Sequence, residues 1–144
     1  MTSETIREHT DSPQATERFG ETFAKKLHNG MTVLLFGELG AGKTTLTRGI
    51  CKAFGIGIVK SPSFVMVNIY SGQGIDIYHI DLYRVPELDA ETAGEIGEYI
   101  WNDDAIKIVE WTENLPDDIL SGEIVSIKIK RISDNEREII IEEN

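Results

Sequence analysis

The run Gly37-Glu38-Leu39-Gly40-Ala41-Gly42-Lys43-Thr44 fits the spacing G-x-x-x-x-G-K-[ST], the phosphate-binding loop of nucleoside-triphosphate enzymes. At average residue usage the pattern arises by accident in about half a percent of chains of this length. Its surroundings narrow the choice further. The apolar run Val33-Leu34-Leu35-Phe36 precedes it, and Leu46, Ile50, Ala53 and Phe54 mark one helical face after it, so strand, loop and helix come in the order the motif requires. An ordinary strand-to-helix turn would account for the glycines and leave Gly42-Lys43-Thr44 unexplained.

The chemistry accounts for each residue type. Glycines at 37, 40 and 42 let the backbone turn tightly and present N–H groups to phosphate oxygens with no Cβ in the way. The following helix adds the positive end of its dipole. Lys43 is then expected at the β- and γ-phosphates, and the hydroxyl of Thr44 on a Mg²⁺ that bridges the same oxygens.

With 144 residues the chain has the length of one domain, expected to span residues 1–144, and is too short for a separate substrate domain. Fourteen basic against 25 acidic residues give a net charge of −11, which disfavours unaided binding to nucleic acid or to an anionic membrane. Any RNA role should run through a partner. Cys51 is the single cysteine, so no disulfide framework exists, and it reads as a half-buried small apolar residue. Residues Met1 to Asp11 are charged, lack a signal-type apolar stretch and are expected to fray; nowhere does an apolar run approach membrane-spanning length. The expectation is a soluble, cytoplasmic protein.

Ser12-Pro13 reads as an N-cap followed by proline at the first helical position, with Ala15, Phe19, Phe23 and Leu27 on one helical face until Asn29-Gly30. Gly55 should close the helix after the loop. Ser61-Pro62-Ser63-Phe64 leads into a β-rich run through Tyr70, and Ser71-Gly72-Gln73-Gly74 turns it toward Ile75 to Asp81. This predicts a hairpin where the familiar topologies place a helix, hence an α/β fold with a mixed parallel and antiparallel sheet flanked by helices. From Pro86 to Asp104 there are seven acidic residues and no basic one, with Ala93, Ile96 and Ile100 at helical spacing: a solvated acidic helix. Ala105 to Trp111 reads as a strand. Val125, Ile127 and Ile129 then alternate with polar residues before Asp134-Asn135 turns the chain into Ile139-Ile140-Ile141, an antiparallel C-terminal hairpin.

A phosphate loop needs a carboxylate to complete its Mg²⁺ site, and Asp81, at the end of the strand Ile75–Ile80, is the best placed; the alternative is an Asp that caps a turn. Glu110 ends the next apolar strand. In open α/β sheets ligands bind beyond the carboxyl ends of parallel strands, so Glu110 is positioned to align an attacking water, to hold Mg²⁺, or both. Trp111 beside it is either a core residue or part of the site. Ser63 offers a switch-loop hydroxyl to Mg²⁺ and the γ-phosphate, or else makes a local turn bond. His79 has no partner at zinc-ligand spacing and reads as a polar support or a partly buried histidine; Arg84 is either a charge-stabilising finger or the partner of the acidic segment. The guanine motif N-K-x-D is absent and Asp81 is followed three places on by Arg84 where D-x-x-G would have glycine, so adenine is expected.

Taken together, Gly37–Thr45 (GELGAGKTT), Ser61-Pro62-Ser63-Phe64, His79–Arg84 (HIDLYR) and Val109-Glu110-Trp111, in that order and spacing, closely resemble the TsaE family, the ATPase of bacterial tRNA threonylcarbamoyladenosine synthesis. The resemblance runs from Thr16 and Phe19-Gly20 to the C-terminal hairpin. It implies a single-domain P-loop ATPase that binds ATP and Mg²⁺ and cycles on and off a TsaB–TsaD complex, touching tRNA only through that complex. Site residues follow from it by position. Gly37, Glu38, Leu39, Gly40, Ala41, Gly42, Lys43, Thr44 and Thr45 would bind ATP together with Trp111, and Thr16 would lie near the adenine. Thr44, Ser63, Asp81 and Glu110 would serve the metal, and Lys43, Asp81 and Glu110 the chemistry. One departure is Ser63, where the family more often has threonine; the hydroxyl stays and the stiffening methyl is lost. A nucleotide switch with negligible hydrolysis and another partner, or a small-molecule phosphotransferase, are the competing functions.

Overall fold

The computed structural model describes residues 4–57, 67–83 and 89–143. Seven strands form one sheet: β1 (Glu4–Thr10), β2 (Thr32–Phe36), β3 (Val67–Gly72), β4 (Ile75–Asp81), β5 (Ala105–Glu110), β6 (Ile124–Arg131) and β7 (Arg137–Glu143), in the spatial order β1-β7-β6-β2-β5-β4-β3. The expected mixed sheet is what forms. β6, β2, β5 and β4 run parallel, while β3 joins β4 and β7 joins β6 and β1 antiparallel. Central parallel strands are covered on both faces, which is why β5 is buried along its whole length and β2 along all but its last residue.

Among the described residues three helices provide the covering: α1 (Pro13–Ala24), α2 (Lys43–Lys52) and α3 (Ala90–Ile100). Alternation along the strands sends Val33, Leu35, Ile77, Ile106, Ile108 and Ile127 to the face under α1 and α2, where Phe23, Leu46 and Ile50 meet them. Leu34, Ile80 and Val109 point the other way, to Ala93, Ile96 and Ile100 of α3 and to Leu115 and Ile119 in the single-turn segments that follow β5. Lys107 lies on that second face and is fully buried. Its ammonium donates to the carbonyls of Asn102 (2.7 Å) and Ala105 (3.1 Å), and burial pushes its pKa down against the opposing pull of Asp103. Cys51 is buried more completely than expected, and burial pushes its thiol up to about 12, which leaves it unreactive.

Local signals set most boundaries. Ser12 caps α1, its hydroxyl accepting from the Ala15 N–H at 3.0 Å, with Pro13 in the first turn as read from sequence. α1 stops at Ala24, short of Asn29-Gly30, because the Lys25 and Lys26 N–H groups bond three residues back and tighten the last turn; Leu27 still reaches the core. Asp89 caps α3 through the Thr92 N–H at 2.7 Å. The acidic residues Glu91, Glu95 and Glu98 face solvent. The β3–β4 hairpin forms, turning at Gln73-Gly74 alone, since pairing runs out to Gly72↔Ile75. The beginning of the expected β-run, Ser61 to Phe64, lies outside the described residues.

The amino-terminal segment, for which the sequence suggests fraying, instead supplies the edge strand β1: Glu4–Thr10 pairs with β7 over Glu4↔Glu143 to Thr10↔Arg137. Charge was the misleading signal, for an edge strand tolerates exposed charges and benefits from them against aggregation. Thr10 then locks the strand to α1 through a buried hydroxyl contact with Thr16, 2.7 Å between oxygens.

Candidate active site

The topology gathers the site at the carboxyl ends of β2, β5 and β4, on the face covered by α2. In β4 the period of two places His79 and Asp81 on that face. Register then sets Asp81 directly across from Glu110 of β5. Between β2 and α2 the loop from Gly37 runs through Gly40 at φ +80° and Gly42 at φ +111°, backbone conformations a side chain resists. Gly42 is the N-cap of α2, with no side chain to serve the helix's first N–H groups. An uncapped helix start behind a glycine loop fits a phosphate group well.

Lys43, the first residue of α2, is buried, and its Nζ lies 3.6 Å from Glu110 Oε1 and 3.9 Å from the centre of the Trp111 ring. Glu110 presents its other oxygen, Oε2, to His79 Nε2 at 2.5 Å. A buried ion pair adds little net stability, so these residue types are better explained by a ligand than by folding energy. Trp111 takes φ +61°, a left-handed conformation uncommon for a non-glycine residue and concentrated at functional sites. The two readings of this residue combine: it packs on the core cluster under α3 and covers Lys43. The Tyr83 ring lies against it, 4.7 Å between centroids and tilted by 47°.

Asp81 is half-buried and accepts the Tyr83 N–H at 2.9 Å. Burial raises its pKa, the Tyr83 N–H lowers it, the Glu110 charge raises it, and His79 and Lys43 lower it, with a net upward shift. The charged form is therefore disfavoured without a cation. Two facing carboxylates, one raised, with the Thr44 hydroxyl in the first turn of α2, make a suitable donor set for Mg²⁺, which takes few protein ligands and keeps its waters and phosphate oxygens. The raised pKa makes a prediction for the nucleotide-free protein. Below the ordinary carboxylate range Asp81 is protonated whether folded or unfolded, and the preference for the protonated folded form is fully expressed; as pH rises through the raised folded value that contribution is lost. Asp81→Asn, which keeps the Tyr83 bond, should be more stable than wild type near pH 7 and equal to it in acid. Urea unfolding across that range checks the crossover, and a variant less stable at pH 7 would contradict it.

Thr16 is buried in α1 and, with Pro13, Gly42, Thr45, Asn135 and Arg137, lines a shallow cleft beside the loop. Arg137, first residue of β7, donates Nε–H to the Ala41 carbonyl at 2.6 Å and reaches the Gly40 carbonyl at 3.4 Å, so the C-terminal hairpin clamps the loop from outside. Leu39 at the loop tip is 66% exposed, and Glu38 is exposed beside it. Ser63 and Arg84 lie outside the described residues. Sequence reasoning missed Arg137, which no motif marks. For His79 the signal was present, since H-x-D in a strand puts both side chains on one face.

The family model described as "Threonylcarbamoyl adenosine biosynthesis protein TsaE" matches residues 10–139. The chain belongs to the TsaE family. It is 40% identical over 107 residues to the tRNA threonylcarbamoyladenosine biosynthesis protein TsaE of Synechocystis sp., covering 71% of this chain and 67% of that one. With the Bacillus subtilis protein of the same name it shares 36% over 135 residues, 93% of this chain and 83% of the relative. The crystal structure of Bacillus subtilis YdiB superposes with a TM-score of 0.77 at 29% identity, over 99% of this chain and 88% of that one. As a TsaE-family member the chain has its place in tRNA threonylcarbamoyladenosine biosynthesis. Among the described residues no helix is long and apolar enough to cross a membrane.

Proposed function

We propose that this protein is a Mg²⁺-dependent ATPase that cycles on and off a TsaB–TsaD complex in the cytoplasm and so sustains its turnover, meeting tRNA only through that complex. The observation that carries this reading is the meeting of the glycine loop's Lys43 with Glu110 at the carboxyl ends of β2 and β5. The amides from Gly37 to Thr45 and the start of α2 hold the phosphates. Lys43 exchanges its contact with Glu110 for the β- and γ-phosphates, which are the stronger anions. Thr44, Asp81 and Glu110, together with Ser63 as the family resemblance implies, would hold Mg²⁺, and the ion would supply positive charge against the phosphates in the transition state. Glu110, relieved of Lys43, orients the attacking water. The cleft lined by Thr16, Thr45 and Arg137 takes the adenine end, and Trp111 closes over the phosphate end.

Turnover of ATP and of GTP should be measured with and without TsaB–TsaD and tRNA, beside complex formation with ATP, with ADP and without nucleotide. Turnover selective for ATP, raised by the partners, and association that depends on nucleotide are expected. Negligible hydrolysis with nucleotide-dependent binding would leave a switch, and association indifferent to nucleotide would remove the cycling.

A further inference from the structure

We infer that His79 is the positioning residue of Glu110: it anchors one carboxylate oxygen from beneath so that the other faces the site after Lys43 has left. This rests on the ATPase reading above and assigns the part played by a histidine that the phosphate loop and its metal do not require.

The geometry divides the Glu110 carboxylate between two kinds of partner. Oε1 faces Lys43 of α2, at 3.6 Å, beside the glycine loop; Oε2 faces His79 Nε2 of β4, at 2.5 Å, within the sheet. The first contact is exchangeable, because the lysine is needed at the phosphates. The second is built into the sheet. His79 sits two residues before Asp81 in the interior of β4, between β3 and β5, with its register partners Asn68 and Ile108 on either side. Its side chain is fully buried, and the Tyr70 ring lies 6.4 Å away, centroid to centroid. A strand-borne, buried donor of this kind holds a carboxylate more precisely than a loop residue would.

Hydrogen-bond accounting fixes the direction of the contact. Nδ1 of His79 is buried with no hydrogen-bond partner among the described residues. A hydrogen on Nδ1 would therefore be an orphaned donor, whereas a hydrogen on Nε2 goes to Glu110 and leaves Nδ1 as a bare lone pair. His79 donates, Glu110 accepts. The consequence concerns the state without the lysine contact. Glu110 then lies across the strand pair from Asp81 with Oε1 released from the lysine, and its three side-chain torsions are free to turn. Holding Oε2 removes that freedom and leaves Oε1 aimed outward. A misplacement of about 1 Å at a reacting group costs on the order of a hundredfold in rate, so the anchor has leverage on turnover that it lacks on nucleotide affinity.

Three substitutions separate positioning from filling. His79→Gln carries an amide nitrogen to the place of Nε2, His79→Asn keeps polarity but ends short of Glu110, and His79→Leu fills the space without a donor. With TsaB–TsaD present, kcat should fall at least about tenfold in the Asn and Leu variants. KM and the ATP dissociation constant from calorimetry should stay within about twofold of wild type, and Gln should recover most of kcat. In the nucleotide-free protein, urea unfolding of His79→Leu, Glu110→Met and the double variant should be non-additive, the pair of apolar replacements costing less than the sum of the two. Wild-type kcat in His79→Leu, equal losses in Gln and Asn, a loss of affinity matching the loss of kcat, or additive unfolding would each overturn the inference. Should Leu fail to fold, the contrast between Gln and Asn decides. Absence of turnover in the wild type itself would instead defeat the ATPase reading, and the inference with it.

Discussion

Glu110→Gln should lower ATP turnover by about two orders of magnitude or more while ATP affinity changes little. A positioned general base contributes roughly 10²–10⁴-fold, and the amide keeps the shape and one accepting oxygen but loses the basic charge. The phosphates, by contrast, are held by backbone amides and the start of α2, neither of which the substitution touches. Lys43→Ala should behave in the opposite way, with ATP affinity itself falling, because the point charge on the β- and γ-phosphates is gone. The alanine also leaves Glu110 buried without its ion-pair partner and facing Asp81, so the nucleotide-free protein should unfold at lower urea. Calorimetric binding beside partner-stimulated turnover distinguishes the two profiles. Unchanged turnover in Glu110→Gln would reduce that residue to a structural partner of Lys43 and His79.

What could be read before the structure divides along physical lines. Local rules worked where the cause is local: Ser12-Pro13 caps α1, Gly42-Lys43-Thr44 opens α2, and the 125–129 alternation forms β6. The mixed sheet followed from a single hairpin where a helix would otherwise stand. Asp81, Glu110 and Trp111 were legible as strand ends, and the structure brings them beside Lys43 through strand register. β1 was illegible because its pairing energy comes from β7, over a hundred residues away, and its exposed charges resemble those of a frayed end. Arg137 was equally hidden. Its contact with the Ala41 carbonyl joins residues 96 positions apart, and an arginine opening a hairpin strand carries no pattern of its own.

The other large effect concerns stability, and it too depends on a contact no spacing rule would mark. Gly49→Ala should cost about 3 kcal/mol or more, out of the roughly 5–15 kcal/mol that holds a domain of this kind together. In α2 an added Cβ at residue 49 would lie 2.0 Å from the Glu17 carbonyl oxygen of α1, and one at Gly20 would lie 2.5 Å from the Leu46 carbonyl oxygen. Both clashes are with backbone, which has no rotamer to change, so the helices would have to separate along a shared crossing. Alanine also improves helix propensity by up to about 1 kcal/mol, but that gain is smaller than the overpacking it accompanies. Gly94→Ala in α3 supplies the control, since a Cβ there meets nothing within 4 Å among the described residues and the same substitution should stabilise. Urea unfolding of both variants against wild type tests the pair of opposite signs. The link to function is direct, because α1 carries Thr16 and α2 carries Lys43, Thr44 and Thr45. Any Gly49→Ala protein that stays folded should bind ATP more weakly as the two walls of its site move apart, and wild-type stability in that variant would mean the crossing is looser than it looks.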